Sequence, residues 1–174
     1  MINTAIFLIV SLIIVWIFWP SLRKPRSHGF PRFFAFESVL ALVIINLENW
    51  FRNPFSSLQI FSWCCLLFSL FLVIHAFHLM RVVGKPNDKI EDTTQLVEVG
   101  AYRYVRHPLY SSLLFLGFGA FLKHPVWLGA ILVMVATFLL ILTAKVEERE
   151  NLSKFGVEYA AYMKKTKMFV PFLF

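Results

Sequence analysis

The sequence predicts an all-α, polytopic membrane protein with five transmembrane helices and a C-terminal amphipathic helix on the cytoplasmic side. Of its 174 residues, 59% are hydrophobic and the mean hydropathy is +0.70, which is too apolar for an ordinary soluble domain. The apolar residues form long runs, and prolines mark the ends of these runs. We expect a single integral membrane domain over residues 1–174, with residues 1–80 as a three-helix scaffold and residues 81–174 as the functional core.

The first two predicted spans are Ile2–Trp19 and Phe34–Trp50. Ile2–Trp19 is about long enough to cross a ~30 Å hydrocarbon core. It lacks a basic start and a small-residue cleavage site, so we interpret it as a retained helix that ends at Pro20. The second span carries Glu37 and Glu48 near its two ends, where interfacial water can reach a carboxylate.

The next three predicted spans differ in length. As helices, Phe55–Met80 would reach about 39 Å and Leu109–Leu122 only about 21 Å. The fifth span is Val126–Ala144, and a charged helix follows from Lys145 with apolar and aromatic residues at helical spacing. A short fourth helix beside a long third helix should leave a recess at the membrane boundary, and polar groups in such a recess are candidates for function.

Basic residues predict the orientation. All of the 17 Lys and Arg residues except Arg52 and Lys123 lie in segments 20–33, 81–108 and 145–174. Because Lys and Arg gather on the cytoplasmic side, we expect the N-terminus outside and the C-terminus in the cytoplasm. The membrane would be the cell membrane of a prokaryote or the endoplasmic reticulum of a eukaryote. The same placement explains the net charge of +7, so no nucleic-acid partner is expected.

The basic, aromatic segment 100–110 runs directly into the fourth span. Pro108 suits the first position of a helix, so Arg106 and His107 would lie at a helix start, where unpaired N–H groups and the helix dipole favour anions. Taken alone, these residues are also typical of a basic anchor and an interfacial aromatic belt at the membrane surface.

Two acidic residues, Glu147 and Glu148, follow the fifth span. They could form a solvated helix start. However, acids just below a membrane span oppose an anionic leaflet, so binding of a cationic ligand is an attractive alternative. Nearby aromatic residues suit stacking on a base or caging an onium centre. S-adenosylmethionine has an adenine, a sulfonium and a carboxylate, and would use all of these groups.

The two-part pattern Gly100-x-Tyr102-x-x-x-Arg106-His107-Pro108-x-Tyr110 and Glu147-Glu148…Leu152…Phe155-Gly156-x-x-Tyr159-x-x-Tyr162 closely resembles the isoprenylcysteine carboxyl methyltransferase family. That family shares its C-terminal half with membrane phospholipid methyltransferases. The resemblance covers residues 85–172 and includes Val170-Pro171. It implies an integral membrane enzyme that uses S-adenosylmethionine without a Rossmann domain, and it makes residues 81–174 a methyltransferase core.

The resemblance also implies site residues by position. Cofactor contacts would come from Asn87, Thr94, Gln95, Leu96, Val97, Tyr102, His107, Pro108, Leu109, Tyr110, Glu147 and Glu148. Catalytic roles are expected for Arg106, Lys145 and Glu148. Relatives often have an arginine near the end of the fifth span, where this chain has Thr143-Ala144-Lys145. The pattern therefore leaves open which cation orients the acceptor.

The expected reaction is methyl transfer to the C-terminal carboxylate of an isoprenylated cysteine or a similar lipophilic acid. A carboxylate is ionised at neutral pH, so alignment and exclusion of water would suffice, with Arg106 or Lys145 holding the acceptor. The alternative enzyme is a phosphatidylethanolamine N-methyltransferase, whose protonated amine needs a base such as His75, His78 or Glu148. A non-enzymatic membrane scaffold or lipid-binding subunit is the third hypothesis.

No metal site is expected, and the oligomeric state is left open. His75 and His78 share a helix face, but no carboxylate or thiolate lies at matching spacing, so we interpret them as polar neighbours of the site. Gly117-Phe118-Gly119 lacks the preceding strand and third glycine of a dinucleotide loop and is expected to allow close helix packing. Cys64 and Cys65 point apart on a helix and are interpreted as small buried hydrophobic residues.

Overall fold

The computed structural model describes residues 2–87 and 93–171 of the chain. These residues contain six α-helices and two short 3₁₀ turns. The 3₁₀ turns are Leu47–Asn49 and Gly100–Arg103. The helices are α1 (Ile2–Leu22), α2 (Gly29–Ile45), α3 (Ser57–Val82), α4 (Pro108–Lys123), α5 (Trp127–Phe155) and α6 (Val157–Lys165). The described residues form helices, turns and isolated bridges but no strand, so the all-α prediction is confirmed for them.

Three of these helices, α1, α3 and α5, are long and apolar enough to cross a membrane. The α4 helix is apolar but has only 16 residues, and α2 has 17. None of the α1 residues is buried, so its apolar side chains form a large exposed surface of the kind that marks a membrane contact. Five spans and the inside–outside orientation therefore stay predictions, whereas the helical membrane character is supported.

The first two helices depart from their predicted bounds. The α1 helix continues through Pro20 to Leu22, because a proline in the last turn removes a single backbone hydrogen bond. The α2 helix begins at Gly29, five residues before the predicted start, with Pro31 in the first turn, where proline is tolerated. It ends at Asn46, whose side-chain amide donates to Leu42 O at 3.0 Å.

The charged segment after residue 144 is part of α5 and does not start a separate helix at Lys145. The α5 helix runs without interruption to Phe155, because Lys, Glu and Arg are good helix formers. It stops at Gly156, whose φ of 57° lies in a region that L side chains rarely adopt. The chain turns there into α6, which buries Tyr159 and Tyr162.

The bundle is held by α3 packed on α4 and by α2 packed on α5. Between α3 and α4, Ser62 Oγ donates to Gly119 O at 2.7 Å and Ser69 Oγ donates to Ser112 O at 2.7 Å. Small residues and hydroxyl hydrogen bonds allow close helix contact in lipid. A Cβ atom added at Gly119 would lie 2.8 Å from Leu66 Cγ, so the close packing predicted for this glycine is confirmed.

The two cysteines lie on another face of α3. Cys64 is exposed and Cys65 is half-buried, so the prediction that both are buried is wrong. Their neighbours Leu67 and Phe68 are 63% and 44% exposed, so this part of α3 is largely uncovered in the described chain. Polarisable, weakly polar cysteine side chains are compatible with a lipid-facing surface.

We expect Gly119→Ala to lower the stability of the protein by about 1–3 kcal/mol, because the added methyl group would push α4 away from Leu66 and the Ser62 carbonyl. Gly117→Ala is the matched control. Its Cβ would meet Val39 Cγ2 at an ordinary 3.6 Å, and replacing a helix-interior glycine by alanine gains up to about 1 kcal/mol. Thermal unfolding of both variants in detergent measures the difference. Equal Tm values would contradict the packing argument.

Candidate active site

The chain before α4 pairs with the chain that follows α6. The Arg106 and His107 N–H groups donate to Lys167 O and Met168 O at 2.8 and 3.1 Å, and Lys167 N–H donates to Tyr104 O at 3.1 Å. This short parallel pairing holds the start of α4 beside the C-terminal segment. Residues that are 61 to 63 positions apart in the sequence are thereby placed next to each other.

Arg106 connects three elements. Its Nε donates to Glu148 Oε1 on α5 at 2.6 Å, and its Nη1 donates to the carbonyls of Thr166 at 2.5 Å and Met163 at 3.3 Å. The side chains of Arg106 and Glu148 are 10% and 9% exposed. Hydrogen bonds between ionised groups are short and strong, so this network fixes the start of α4 against α5 and the end of α6.

Both carboxylates after the fifth predicted span point to the start of α4. The Tyr110 hydroxyl donates to Glu147 Oε2. His107 Nδ1 lies 3.9 Å from Glu147 Oε1, and His107 Nε2 lies 3.4 Å from Glu148 Oε1. The His107 ring also stacks on the Tyr110 ring, with centroids 5.4 Å apart and an interplanar angle of 18°. Negative charge at a helix start is favoured by the helix dipole.

A cavity opens beside this cluster. The cavity has a volume of about 90 Å³ and is open to the outside of the protein. Small-molecule sites span about 300–1,000 Å³, so a ligand of nucleotide size would lie partly in the mouth. The cavity is lined by Arg32, Met80, Thr93, Leu96, Val97, Tyr102, Arg106, His107, Pro108, Leu109, Tyr110, Glu147, Asn151, Phe155, Tyr159 and Tyr162.

The structure brings most of the predicted cofactor residues to this cavity: Leu96, Val97, Tyr102, His107, Pro108, Leu109, Tyr110 and Glu147. Of the predicted catalytic residues, Arg106 lines the cavity, and Glu148 lies behind it, paired with Arg106.

Four predicted residues lie away from the cavity wall. Asn87, Thr94 and Gln95 are exposed, and the Thr94 hydroxyl donates to Lys85 O at 2.8 Å. Lys145 is exposed on α5. The resemblance assigned these residues by position, and position alone does not determine which side chains point toward the cavity.

Several lining residues were not predicted. Arg32 comes from α2, far from the motifs, and only the packing of α2 on α5 brings it there. Asn151 lies one helical turn after Glu147, a spacing that the sequence does reveal. Tyr159 and Tyr162 belong to the second half of the pattern, but no role had been assigned to them.

Three buried tyrosines of the cavity, Tyr102, Tyr159 and Tyr162, stay protonated. Burial raises the pKa of Tyr159 to about 12, although a hydrogen bond with Asn151 acts in the opposite direction. Burial also raises the pKa of Tyr102 and Tyr162 well above their usual range, and the Glu147 carboxylate adds to this for Tyr102. At neutral pH these side chains are therefore uncharged rings with a hydroxyl group. The Tyr162 hydroxyl donates to Tyr102 O at 2.6 Å.

The arrangement suits a ligand that combines a positive charge with a flat ring. The Glu147 side chain is 26% exposed and can balance the charge of such a ligand. Neutral aromatic rings attract an onium group by its charge and a base by stacking. Apolar residues such as Leu96, Val97 and Leu109 complete the wall.

Comparison with known proteins identifies a family and a relative of this chain. A family model described as Phospholipid methyltransferase matches residues 57–156. A methanethiol S-methyltransferase from Crocosphaera subtropica (strain ATCC 51142 / BH68) is 30% identical over 139 residues, which cover 77% of this chain and 53% of that protein. The chain thus spans about half the length of this curated relative. No solved structure matches the chain.

We expect Arg106→Gln to destabilise the protein by about 3–5 kcal/mol, since it leaves the Glu148 carboxylate buried without its cation. Arg149→Gln is the control, because Arg149 is exposed on the same helix as Glu148 and surface changes of this kind are usually within about 0.5 kcal/mol. Thermal unfolding in a neutral detergent measures both. An Arg106→Gln Tm close to that of Arg149→Gln would show that the ion pair does not hold the site together.

Proposed function

Because the chain belongs to the phospholipid methyltransferase family of membrane methyltransferases, we propose that it transfers the methyl group of S-adenosylmethionine to a nucleophilic group of a lipophilic acceptor. The observation that carries the proposal is the joining of Tyr110, His107 and Glu147 in one cavity at the start of an apolar helix. The family membership confirms the resemblance that the sequence pattern indicated. The choice of donor and acceptor is the proposal.

The residues at the cavity fit S-adenosylmethionine. When bound, this cofactor supplies a methyl group on a positively charged sulfur. Glu147 would balance the positive charge of the ligand, and the Tyr110 hydroxyl fixes the position of that carboxylate. The rings of Tyr102 and Tyr159 offer surfaces for the adenine. Leu109 and the other apolar residues would exclude water from the reacting groups.

The first candidate acceptor is a carboxylate, as in an isoprenylated cysteine or a similar lipophilic acid. A carboxylate is ionised at neutral pH, so the protein has only to orient it. Arg106 was expected to do this, but its Nε and Nη1 already bind Glu148, Met163 and Thr166. Arg32 brings a second guanidinium group to the cavity wall, and we propose that it faces the acceptor, while Arg106 positions Glu148.

A thiol acceptor is the second candidate, favoured by the name of the methanethiol S-methyltransferase relative. A thiol has a pKa near 8.5 and must lose its proton before it attacks a methyl group. An amine acceptor such as phosphatidylethanolamine, which the family description suggests, must also lose one. In both cases we propose that Glu147, which lines the cavity, receives the proton.

The acceptor is tested with purified protein and S-adenosylmethionine labelled in its methyl group. The panel contains a farnesylated cysteine analogue, a long-chain thiol, phosphatidylethanolamine and a water-soluble acid as control. We expect base-labile label on the farnesylated cysteine, because a methyl ester hydrolyses in base. Stable label on the thiol or on phosphatidylethanolamine would instead assign S- or N-methylation. Binding of no methyl donor would support a scaffold or a lipid-binding subunit.

We expect Glu147→Gln to weaken the binding of S-adenosylmethionine by about 10- to 100-fold, since a hydrogen bond or contact to a charged group contributes about 1.5–3 kcal/mol. Glu158→Gln removes the same charge from an exposed position on α6 outside the cavity and should leave the affinity unchanged. Isothermal calorimetry with the cofactor and with its demethylated product measures both variants. Equal affinities for the two variants would exclude Glu147 from the cofactor site.

A further inference from the structure

A second cavity of about 350 Å³ lies between α3 and α4. Phe68 and Leu72 of α3, Phe115 of α4 and Phe169 of the C-terminal segment contribute to its wall. It shares no lining residue with the candidate active site. Because Phe68 is 44% exposed, the cavity is open on the lipid-facing side of the bundle.

The histidine and the serine of this wall form hydrogen bonds within the protein. His75 Nε2 accepts from the Ala101 N–H at 3.3 Å, and its ring stacks on Phe71 at 5.5 Å. Ser111 Oγ donates to Phe169 O at 2.7 Å. His75 was expected beside the candidate active site, but it lies at this second cavity. With its histidine and serine engaged, the wall offers a hydrocarbon-like surface, which favours an apolar chain as occupant.

A basic groove adjoins the cavity at Gly100, which lines both. The groove is lined by Arg103 and Lys165, with Glu98 as the acid among its described lining residues. The Gly100 backbone lies against His75 of α3, and the apolar wall runs from there back to Phe68, which is about 10 Å along the helix. The charged part therefore lies nearer the end of α3, and the apolar part lies nearer its middle.

We propose that the cavity and groove together bind an anionic phospholipid, with an acyl chain in the cavity and the phosphate at Arg103 and Lys165. The order of the two parts along α3 matches a lipid of the leaflet at that membrane face, whose headgroup lies at the surface and whose chain points inward. Basic residues near a membrane surface attract anionic headgroups, and the apolar wall binds the chain. This ligand site is additional to the proposed methyl transfer and does not depend on it, although its groove shares Tyr162 with the candidate active site.

The bound chain would also support the active site. The Phe169 ring lines the second cavity and packs on the His107 ring with centroids 6.2 Å apart. An acyl chain that fills the cavity contacts Phe169 and holds it against His107.

The test uses the full chain in nanodiscs of phosphatidylcholine with a minor fraction of phosphatidylglycerol, and native mass spectrometry of the lipid that stays bound. We expect wild type to retain phosphatidylglycerol preferentially. Arg103→Gln with Lys165→Gln should reduce that preference about 25-fold, since each basic residue near an anionic surface contributes about fivefold. Arg149→Gln with Lys164→Gln removes two exposed charges outside the groove and should retain the preference.

A second pair of variants tests the chain site. Leu72→Phe fills the cavity and should reduce the amount of retained lipid of either headgroup, whereas Leu67→Phe, on the exposed face of α3, should not. Three results would overturn the proposal. The first two are an unchanged preference in the Arg103/Lys165 double variant and equal lipid retention in the two leucine variants. The third is displacement of the lipid by a farnesylated cysteine analogue, which would assign the cavity to an acceptor tail.

Discussion

The buried ion pair between Arg106 and Glu148 is the interaction on which the rest of the site depends. Removing both charges from water is costly, and a buried pair is tolerated only when its remaining hydrogen-bonding groups are also satisfied. Here the carbonyls of Met163 and Thr166 accept hydrogen bonds from the Nη1 group of the guanidinium. The network joins the start of α4, the polar part of α5 and the end of α6, which have no covalent connection near this point.

In this network two adjacent carboxylates, Glu147 and Glu148, have different partners. Neighbouring residues of a helix point about 100° apart, so Glu148 can turn inward to Arg106 while Glu147 faces the cavity. Arg106 neutralises Glu148 and keeps it structural. Glu147 stays partly exposed, is held by the Tyr110 hydroxyl and is left to meet a positive charge on a ligand. The neutral tyrosines around Glu147 supply aromatic rings, and they add no second negative charge that would compete with Glu147 for a cationic ligand.

The candidate site was predictable where it depends on local sequence. Pro108 marks the helix start, and its neighbours His107 and Tyr110 are placed by the first turn of that helix. The acids at Glu147 and Glu148 follow from their position after an apolar run. Asn87, Thr94, Gln95 and Lys145 were assigned by position alone, and the structure leaves their side chains exposed, because orientation in a loop or on a helix surface is decided by contacts that a pattern does not contain.

The sequence alone determined the helical membrane character, the approximate extent of the apolar helices and the family of the chain, because hydropathy, prolines and a spaced polar motif are properties of short segments. Only the tertiary structure decided that Arg106 is tied to Glu148, that Arg32 of α2 reaches the cavity wall, and that α5 continues to Gly156. It also revealed the second cavity behind Phe169. These features depend on which helix packs on which, and the free energy of that packing is shared among residues far apart in the chain.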